Sequence, residues 1–173
     1  MPTIAEISDS SSEAVTQTTS KPATPTEGEK PEQTSEAANF EQYRVLMYSG
    51  SAKPLRLSED GMTFRTRLKA MYEEPVDYGG SLVVVGIGCG TECVIYTMLD
   101  KSSGRDIAFP LGGESNIQLN LNYRKDSSLI VAEWIEQDDV TVERTCFTQR
   151  WNLTIQGFVP LNEKSVKQCS SAE

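Results

Sequence analysis

The apolar positions between residues 81 and 159 recur at the spacing of β-strands. In 117–123, Ile117, Leu119 and Leu121 alternate with polar residues, which predicts a strand with one face in the core and one face in solvent. Segments rich in Gly, Ser, Asn and Asp separate this strand from its neighbours and predict turns. The predicted strands number about eight and lie at 43–48, 81–85, 94–99, 105–109, 117–123, 129–135, 140–151 and 153–159.

One segment shows helical spacing instead. Phe64, Leu68 and Met71 recur on one face of residues 62–74, and Pro75 prevents the helix from continuing. The sequence therefore predicts a mainly β fold in which antiparallel hairpins follow one another as a meander, with one short amphipathic helix. A sandwich and a propeller-like sheet both fit this pattern.

Composition divides the chain of 173 residues into unequal parts. Residues 1–39 contain no aromatic residue, four of the eight prolines, and seven acidic residues against two lysines. Such a segment buries too little apolar surface to offset its ordering entropy, so we predict a disordered acidic tether rich in Ser, Thr, Pro and Glu. Residues 40–162 form the predicted β domain, and residues 163–173 lose the strand pattern, which predicts a flexible C-terminal tail.

Two of the four cysteines lie close together in the glycine-rich segment Gly86–Cys93. We predict that Cys89 and Cys93 form a structural disulfide, because the neighbouring glycines allow the tight turn that it requires. A redox-active dithiol is the alternative, although the segment lacks the helix N-terminus that lowers a thiol pKa. Cys146 and Cys169 bridge to each other or stay free, and no metal site is predicted for the four cysteines.

The cysteines and the start of the chain give opposite indications of the compartment. An even number of cysteines with one close pair is typical of oxidising compartments. The first residues lack the basic and apolar regions of a signal peptide, and no apolar run approaches the roughly 20 residues that cross a bilayer. We expect that a signal or lipoprotein leader has been removed before Met1, with possible loss of a lipid anchor.

Several function classes are disfavoured by composition. The chain has no histidine, which excludes Ser-His-Asp and Cys-His nucleophilic sets and histidine-based metal sites, so we expect neither an enzyme nor a cofactor. The net charge of −9 argues against nucleic-acid binding. Among the aromatic residues, Trp151 lies between Arg150 and Asn152, and we expect it to be a partly exposed contact residue.

Four segments together resemble a family of small bacterial envelope proteins of uncharacterised function. They are Phe64–Leu68 with its Arg-x-Arg element, Asp77–Gly80, the Gly-Cys-Gly-x-x-Cys turn of Gly88–Cys93, and Asp100–Gly104. The resemblance covers about residues 62–135 in the same order and spacing. It implies an exported protein, periplasmic or anchored to the outer membrane as a lipoprotein, and it implies no established activity.

These observations predict a non-enzymatic envelope protein that binds another protein as an inhibitor, an immunity protein or an accessory factor. A rigid, turn-rich scaffold without a catalytic set is the basis for this expectation. Two alternatives stay open at this point. One is a thiol-dependent redox enzyme or sensor that uses Cys89 and Cys93, and the other is a glycan-binding module that uses Trp151.

Overall fold

The computed structural model describes residues 39–169. A 3₁₀ helix spans Phe40–Tyr43, and two α-helices span Glu59–Thr63 (α1) and Arg65–Tyr72 (α2). The strands are β1 (Leu82–Gly90), β2 (Cys93–Asp100), β3 (Arg105–Gly112), β4 (Ile117–Tyr123), β5 (Leu129–Gln137), β6 (Arg144–Thr154), β7 (Gly157–Pro160) and β8 (Ser165–Lys167). The predicted mainly β fold with antiparallel hairpins is confirmed. The predicted tether, residues 1–39, lies outside the described residues except for Asn39.

The strands form two antiparallel sheets. Strands β1, β2 and β3 form a three-stranded sheet in that order. Strands β4, β5, β6 and β7 form the second sheet in that order, and β8 also pairs with β6. From β1 to β3 and from β4 to β7, neighbours along the chain are neighbours in the sheet, as expected for a meander of hairpins, whereas β8 returns to β6.

Buried side chains from the facing sides of the two sheets form one core cluster. Val84 and Met98 of the three-stranded sheet pack there with Ile130 and Trp134 of the five-stranded sheet. The other face of β1 packs against the helices in a second cluster, where Val85 meets Leu68 and Tyr72. The architecture is therefore a two-sheet sandwich with a helical layer on the three-stranded sheet. Residues 82–87 of β1 form a continuous apolar run, as expected where both faces of a strand are covered.

The β2–β3 turn is held by one carboxylate. The Asp100 side chain accepts hydrogen bonds from Ser81 Oγ at 2.7 Å, Ser102 N at 2.9 Å and Ser103 Oγ at 2.6 Å. Burial raises the pKa of Asp100, but the hydrogen bonds from Ser103, Ser81 and Ser102 outweigh it, so the pKa lies below its usual value. The polar segment 100–104 thus closes the predicted hairpin.

The predicted single helix over residues 62–74 is two helices, and the earlier start of the first one depends on a long-range contact. Ser58 caps α1 by accepting a hydrogen bond from Gly61 N at 3.1 Å, and its own N and Oγ donate to Asp106 at 2.7 and 2.6 Å. The helical segment therefore begins at Glu59. Phe64, with φ −108° and ψ 18°, separates the two helices. Periodicity alone does not include the contact with Asp106, which lies 48 residues away.

The predicted first strand, 43–48, is also wrong. Its start belongs to the 3₁₀ helix, and only Arg44 forms a bridge, with Ser127. Val45 N then donates to Asp126 O at 3.0 Å, and Tyr48 N donates to Gly80 O at 2.8 Å. The segment runs along the loops at one end of the sandwich because these loop carbonyls, rather than a neighbouring strand, satisfy its backbone.

Two predictions for the C-terminal part need correction. The predicted last strand, 153–159, instead contains a turn at Ile155 and Gln156, between β6 and β7. Residues 163–169 are not a flexible tail, because Ser165–Lys167 pairs with β6 and Cys169 is bonded to Cys146. A disulfide to a central strand supplies the constraint that a polar composition does not reveal.

Candidate functional site: the hairpin-tip end of the sandwich

One end of the sandwich carries the cysteine-rich turn. Cys89 and Cys93 form a disulfide with a Cα–Cα distance of 5.1 Å, which we call the tip disulfide. It closes the end of the β1–β2 hairpin, where the register shifts between Gly88 and Gly90. Cys89 is an exposed residue and Cys93 a buried one, so the bond joins the surface of the turn to a buried position. This bond fixes the shape of a turn that glycines would otherwise leave mobile.

Within residues 39–169, three residues other than glycine have a positive φ, and all three lie at this end. They are Glu92 at 60°, Gln118 at 53° and Val142 at 61°. Glu92 belongs to the β1–β2 turn, Gln118 to the start of β4, and Val142 to the loop between β5 and β6. We call the surface formed by these three segments the tip end. Left-handed backbone is unfavourable for side chains with a Cβ, and such residues cluster at functional sites.

Hydrogen bonds connect Glu92 and Gln118, two of the three residues strained by a positive φ. Gln118 N donates to Glu92 O at 2.7 Å, and the Gln118 side chain donates to the Glu92 carboxylate. Two guanidinium nitrogens of Arg144 donate hydrogen bonds to the same carboxylate, at 3.2 and 2.8 Å. These hydrogen bonds, from Arg144 first and Gln118 second, lower the pKa of Glu92. These hydrogen bonds join the β1–β2 turn of the three-stranded sheet to β4 and β6 of the five-stranded sheet.

A second set of hydrogen bonds holds the β5–β6 loop. The Asp138 carboxylate accepts from Val140 N at 2.9 Å and from Thr141 N at 2.7 Å. Val142 N donates to Asp138 O at 2.9 Å, which closes the loop over the strained valine. Hydrogen bonds from Thr141 N and Val140 N hold the pKa of Asp138 below its usual value. The loop is therefore built around Asp138 rather than around a core contact.

The same loop exposes two apolar side chains. Val140 is 89% exposed and Val142 is 64% exposed. An exposed valine in a left-handed conformation gains little from its own surroundings, because it neither packs nor adopts a favourable backbone. Arg144, which holds Glu92, follows this loop directly. The loop that carries the two valines is thus connected through Arg144 to Glu92, which precedes Cys93 of the tip disulfide.

The cleft next to the β5–β6 loop is acidic. A cleft of about 730 Å³ beside the loop is lined by Glu92, Glu114, Glu136, Asp139 and Arg144, with four uncharged residues. Arg144 pairs with Glu92, whereas Glu114 and Asp139 make no ion pair or hydrogen bond to other residues in the 39–169 range. The tip end therefore combines exposed apolar groups with an acidic rim.

The described chain begins at the opposite end of the sandwich. The carbonyl of Phe40 accepts a hydrogen bond from Ser127 Oγ at 3.0 Å, and that of Tyr43 accepts one from Ser128 N at 2.9 Å. Ser127 and Ser128 lie between β4 and β5, at the far end of both strands from Gln118. The tip end consequently faces away from the point at which the chain enters the domain.

The structure contradicts the predicted exposure of Trp151. Only 8% of this residue is exposed, and its ring packs edge to face on Phe109 at a centroid distance of 5.6 Å. Its Nε1 is buried without a hydrogen-bond partner in the described part of the chain. Trp151 pairs with Ile130, so the alternation of β6 places it on the core face. Its polar sequence neighbours lie on the opposite face and gave a misleading signal.

The remaining cysteines form a second bond. Cys146 and Cys169 are joined with a Cα–Cα distance of 5.3 Å, which we call the C-terminal disulfide. With this bond and the tip disulfide, all four cysteines are paired. The structure thus selects the Cys146–Cys169 bridge over the free thiols that the sequence left open.

The candidate-site residues that sequence reasoning missed are Val140 and Val142. Their segment reads as the beginning of a β-strand because it alternates valine with threonine. The preceding Asp138 and Asp139 were a usable signal, because an Asp side chain that caps the following amides favours a loop over a strand.

Comparisons of the chain with protein-family models, with curated proteins and with solved structures find no match. The resemblance to bacterial envelope proteins therefore stays a prediction. Across residues 39–169, none of the helices has the length and apolar character needed to cross a bilayer.

Proposed function

We propose that this chain is a non-enzymatic protein-binding domain of the bacterial envelope that holds its partner protein at the tip end. The observation that carries the proposal is the coincidence of three strained residues with two exposed valines on one braced surface. Inhibitor, immunity and accessory-factor roles all require such a surface. Periplasmic or outer-membrane-anchored placement belongs to the same proposal.

Rigidity supports the binding role. A surface whose conformation is set before association loses less conformational entropy on binding than a mobile loop does. The tip disulfide, the Arg144–Glu92 pair and the Asp138 hydrogen bonds each fix a different part of the tip end. Burying one valine side chain is favourable by about 1.5–3 kcal/mol, so two valines can supply a substantial part of a binding energy.

The acidic rim supports a partner of opposite charge. Glu114 and Asp139 line the cleft at the tip end and have no cationic partner in the described chain. A basic surface around an apolar pocket complements this arrangement and gains association rate from it. The two disulfides support an oxidising compartment.

Site-specific photocrosslinking in the native cell tests the proposal. A photoreactive amino acid at Val140 is expected to give one discrete adduct, and the same group at Ile155 is the matched control. Ile155 is 98% exposed and lies in the β6–β7 turn, at the other end of β6 from the tip end. The adduct at Val140 is expected to disappear with Val142→Asp in the same chain. Equal crosslinking from both positions, or none from Val140, would refute the proposal.

Thiol–disulfide exchange at the tip disulfide is a second candidate, favoured by the solvent-exposed Cys89. It requires attack by an external thiolate on the accessible sulfur. A folded variant carrying both Cys89→Ser and Cys93→Ser that retains its cellular function would exclude this candidate. Trp151, on which the glycan-binding alternative rested, is buried, and no observation favours that alternative.

A further inference from the structure

A recess separate from the tip end lies on the helical side of the three-stranded sheet. It has a volume of about 390 Å³ and is lined by residues of α1, α2, β1, β2 and β3. None of its lining residues belongs to the β5–β6 loop, to the tip disulfide or to the Glu92–Arg144 pair. Its size lies within the range of small-molecule sites.

Two irregularities border this recess. On β2, Ile95 pairs with Gly112, but Thr97, two residues further on, pairs with Ala108, four residues away on β3. The extra residues take β3 out of the regular ladder at this point. Phe64, which separates α1 from α2, lines the recess as well. These irregularities leave an opening between the helices and the three-stranded sheet, and this opening is the recess.

The recess has an apolar floor and a polar mouth. Phe64 and Ile95 line the recess and are half-buried, and they supply the floor above the buried Leu68 and Ile87. Asp60, Thr63 and Ala108 line the recess and are exposed, and they surround its opening. This separation suits a ligand with an apolar body and one polar group, because each part meets a surface of its own kind.

The charged side chains around the mouth indicate which polar group a ligand would carry. Asp60 and Asp106 are the charged side chains that line the recess. Asp106 is already engaged by Ser58, from which it accepts hydrogen bonds at 2.7 and 2.6 Å. The Asp60 carboxylate makes no hydrogen bond or ion pair with any residue from 39 to 169. An unpaired carboxylate at the mouth of an apolar recess favours a cation and disfavours an anion.

We propose that this recess binds small apolar cations of the alkylammonium class. The alkyl part packs on Phe64 and Ile95, and the ammonium group lies at the mouth beside Asp60. This site is independent of the protein-binding surface at the tip end, so either one can be lost without the other.

Three ligands with the same alkyl chain test the proposal on the full chain: octylammonium, octanol and octanoate. Each is titrated while the backbone amide resonances are followed by nuclear magnetic resonance. We expect saturable shifts at residues of the recess, with octylammonium binding about two- to fivefold more tightly than octanol and octanoate binding most weakly. In Asp60→Asn the preference for octylammonium over octanol is expected to vanish. Octanoate binding as tightly as octylammonium would overturn the cationic assignment.

Filling the recess supplies the second test. Ala108→Phe places an aromatic ring at the exposed mouth and is expected to weaken octylammonium binding at least tenfold. Ala70→Phe adds the same ring at an exposed position of α2 that does not line the recess, and binding is expected to be unchanged. Thr63→Phe, from the helical side, replaces Ala108→Phe if that variant does not fold. Shifts that do not saturate, or equal binding by the filled and control variants, would overturn the proposal.

Discussion

The left-handed conformation of Val142 makes a stability measurement the sharpest test of the tip end. Val142 has φ 61° and is 64% exposed, so replacing it removes little packing. An L-residue in this region pays roughly 1–2 kcal/mol, and a β-branched residue is among the least suited to it. Asn occupies the same region far more readily. Val142→Asn is therefore expected to raise the free energy of unfolding by about 1 kcal/mol.

Urea denaturation at neutral pH measures this change, and Val140→Asn is its matched control. Val140 lies in the same loop, is 89% exposed and is not among the residues with positive φ. Its substitution by Asn is expected to change the free energy of unfolding by less than about 0.5 kcal/mol. The melting temperature of Val142→Asn should rise by about 3 °C. If Val142→Asn destabilises the protein, or matches Val140→Asn, the strain at the tip end is refuted.

Three further expectations concern the scaffold. In urea unfolding, Trp134→Phe should cost about 1 kcal/mol more stability than Trp151→Phe. The reason is that Trp134 Nε1 donates to a carboxylate at 2.9 Å, whereas Trp151 Nε1 has no partner in the described chain. The reverse order of the two costs would contradict this. The Asp100 carboxylate has a lowered pKa, so its contribution is fully present above its usual value of 3.8 and is lost as the pH falls through the lowered value. Asp100→Asn should therefore cost about 1–2 kcal/mol at neutral pH and flatten the acid loss of stability, and an unchanged pH profile would count against it. Replacing both cysteines by serine should cost about 3 kcal/mol of stability at the C-terminal disulfide and about 2 kcal/mol at the tip disulfide. The bridged residues are 23 and 4 positions apart, and the longer loop restricts the unfolded chain more. Equal costs would refute this chain-entropy reasoning.

The protein-binding proposal and the recess proposal separate cleanly in experiment. Val142→Asp is designed to abolish crosslinking at the tip end, and it leaves the lining of the recess unchanged. Ala108→Phe blocks the recess and lies outside the β5–β6 loop. A variant that loses one property and retains the other therefore identifies which of the two surfaces has been disturbed.

Local patterns predicted those parts of the fold that local physics decides. The alternation over 117–123 corresponds to β4, and the polar run 100–104 is the β2–β3 turn. Both follow from side chains that are at most a few residues apart, as does the tip disulfide with its separation of 4. The pattern missed the helix start at Glu59, where Ser58 caps the helix and is itself held by Asp106.

The candidate site was only partly accessible to sequence reasoning. The cysteine turn was found, because two cysteines within a glycine-rich segment are a strong local signal. The bracing of that turn was not found, because Glu92 meets Gln118 across 26 residues and Arg144 across 52. Trp151 was misplaced for a related reason, since its side of β6 is decided by pairing with Ile130 on another strand.

The sequence by itself determined the mainly β class, most hairpins and the tip disulfide, because residue periodicity and turn chemistry act over a few positions. Only the tertiary structure decided that the two sheets form a sandwich, that β8 and Cys169 return to β6, and that strained residues gather at one end. Contacts between distant segments depend on which surfaces bury and pack best together, and that choice is made by the whole chain at once.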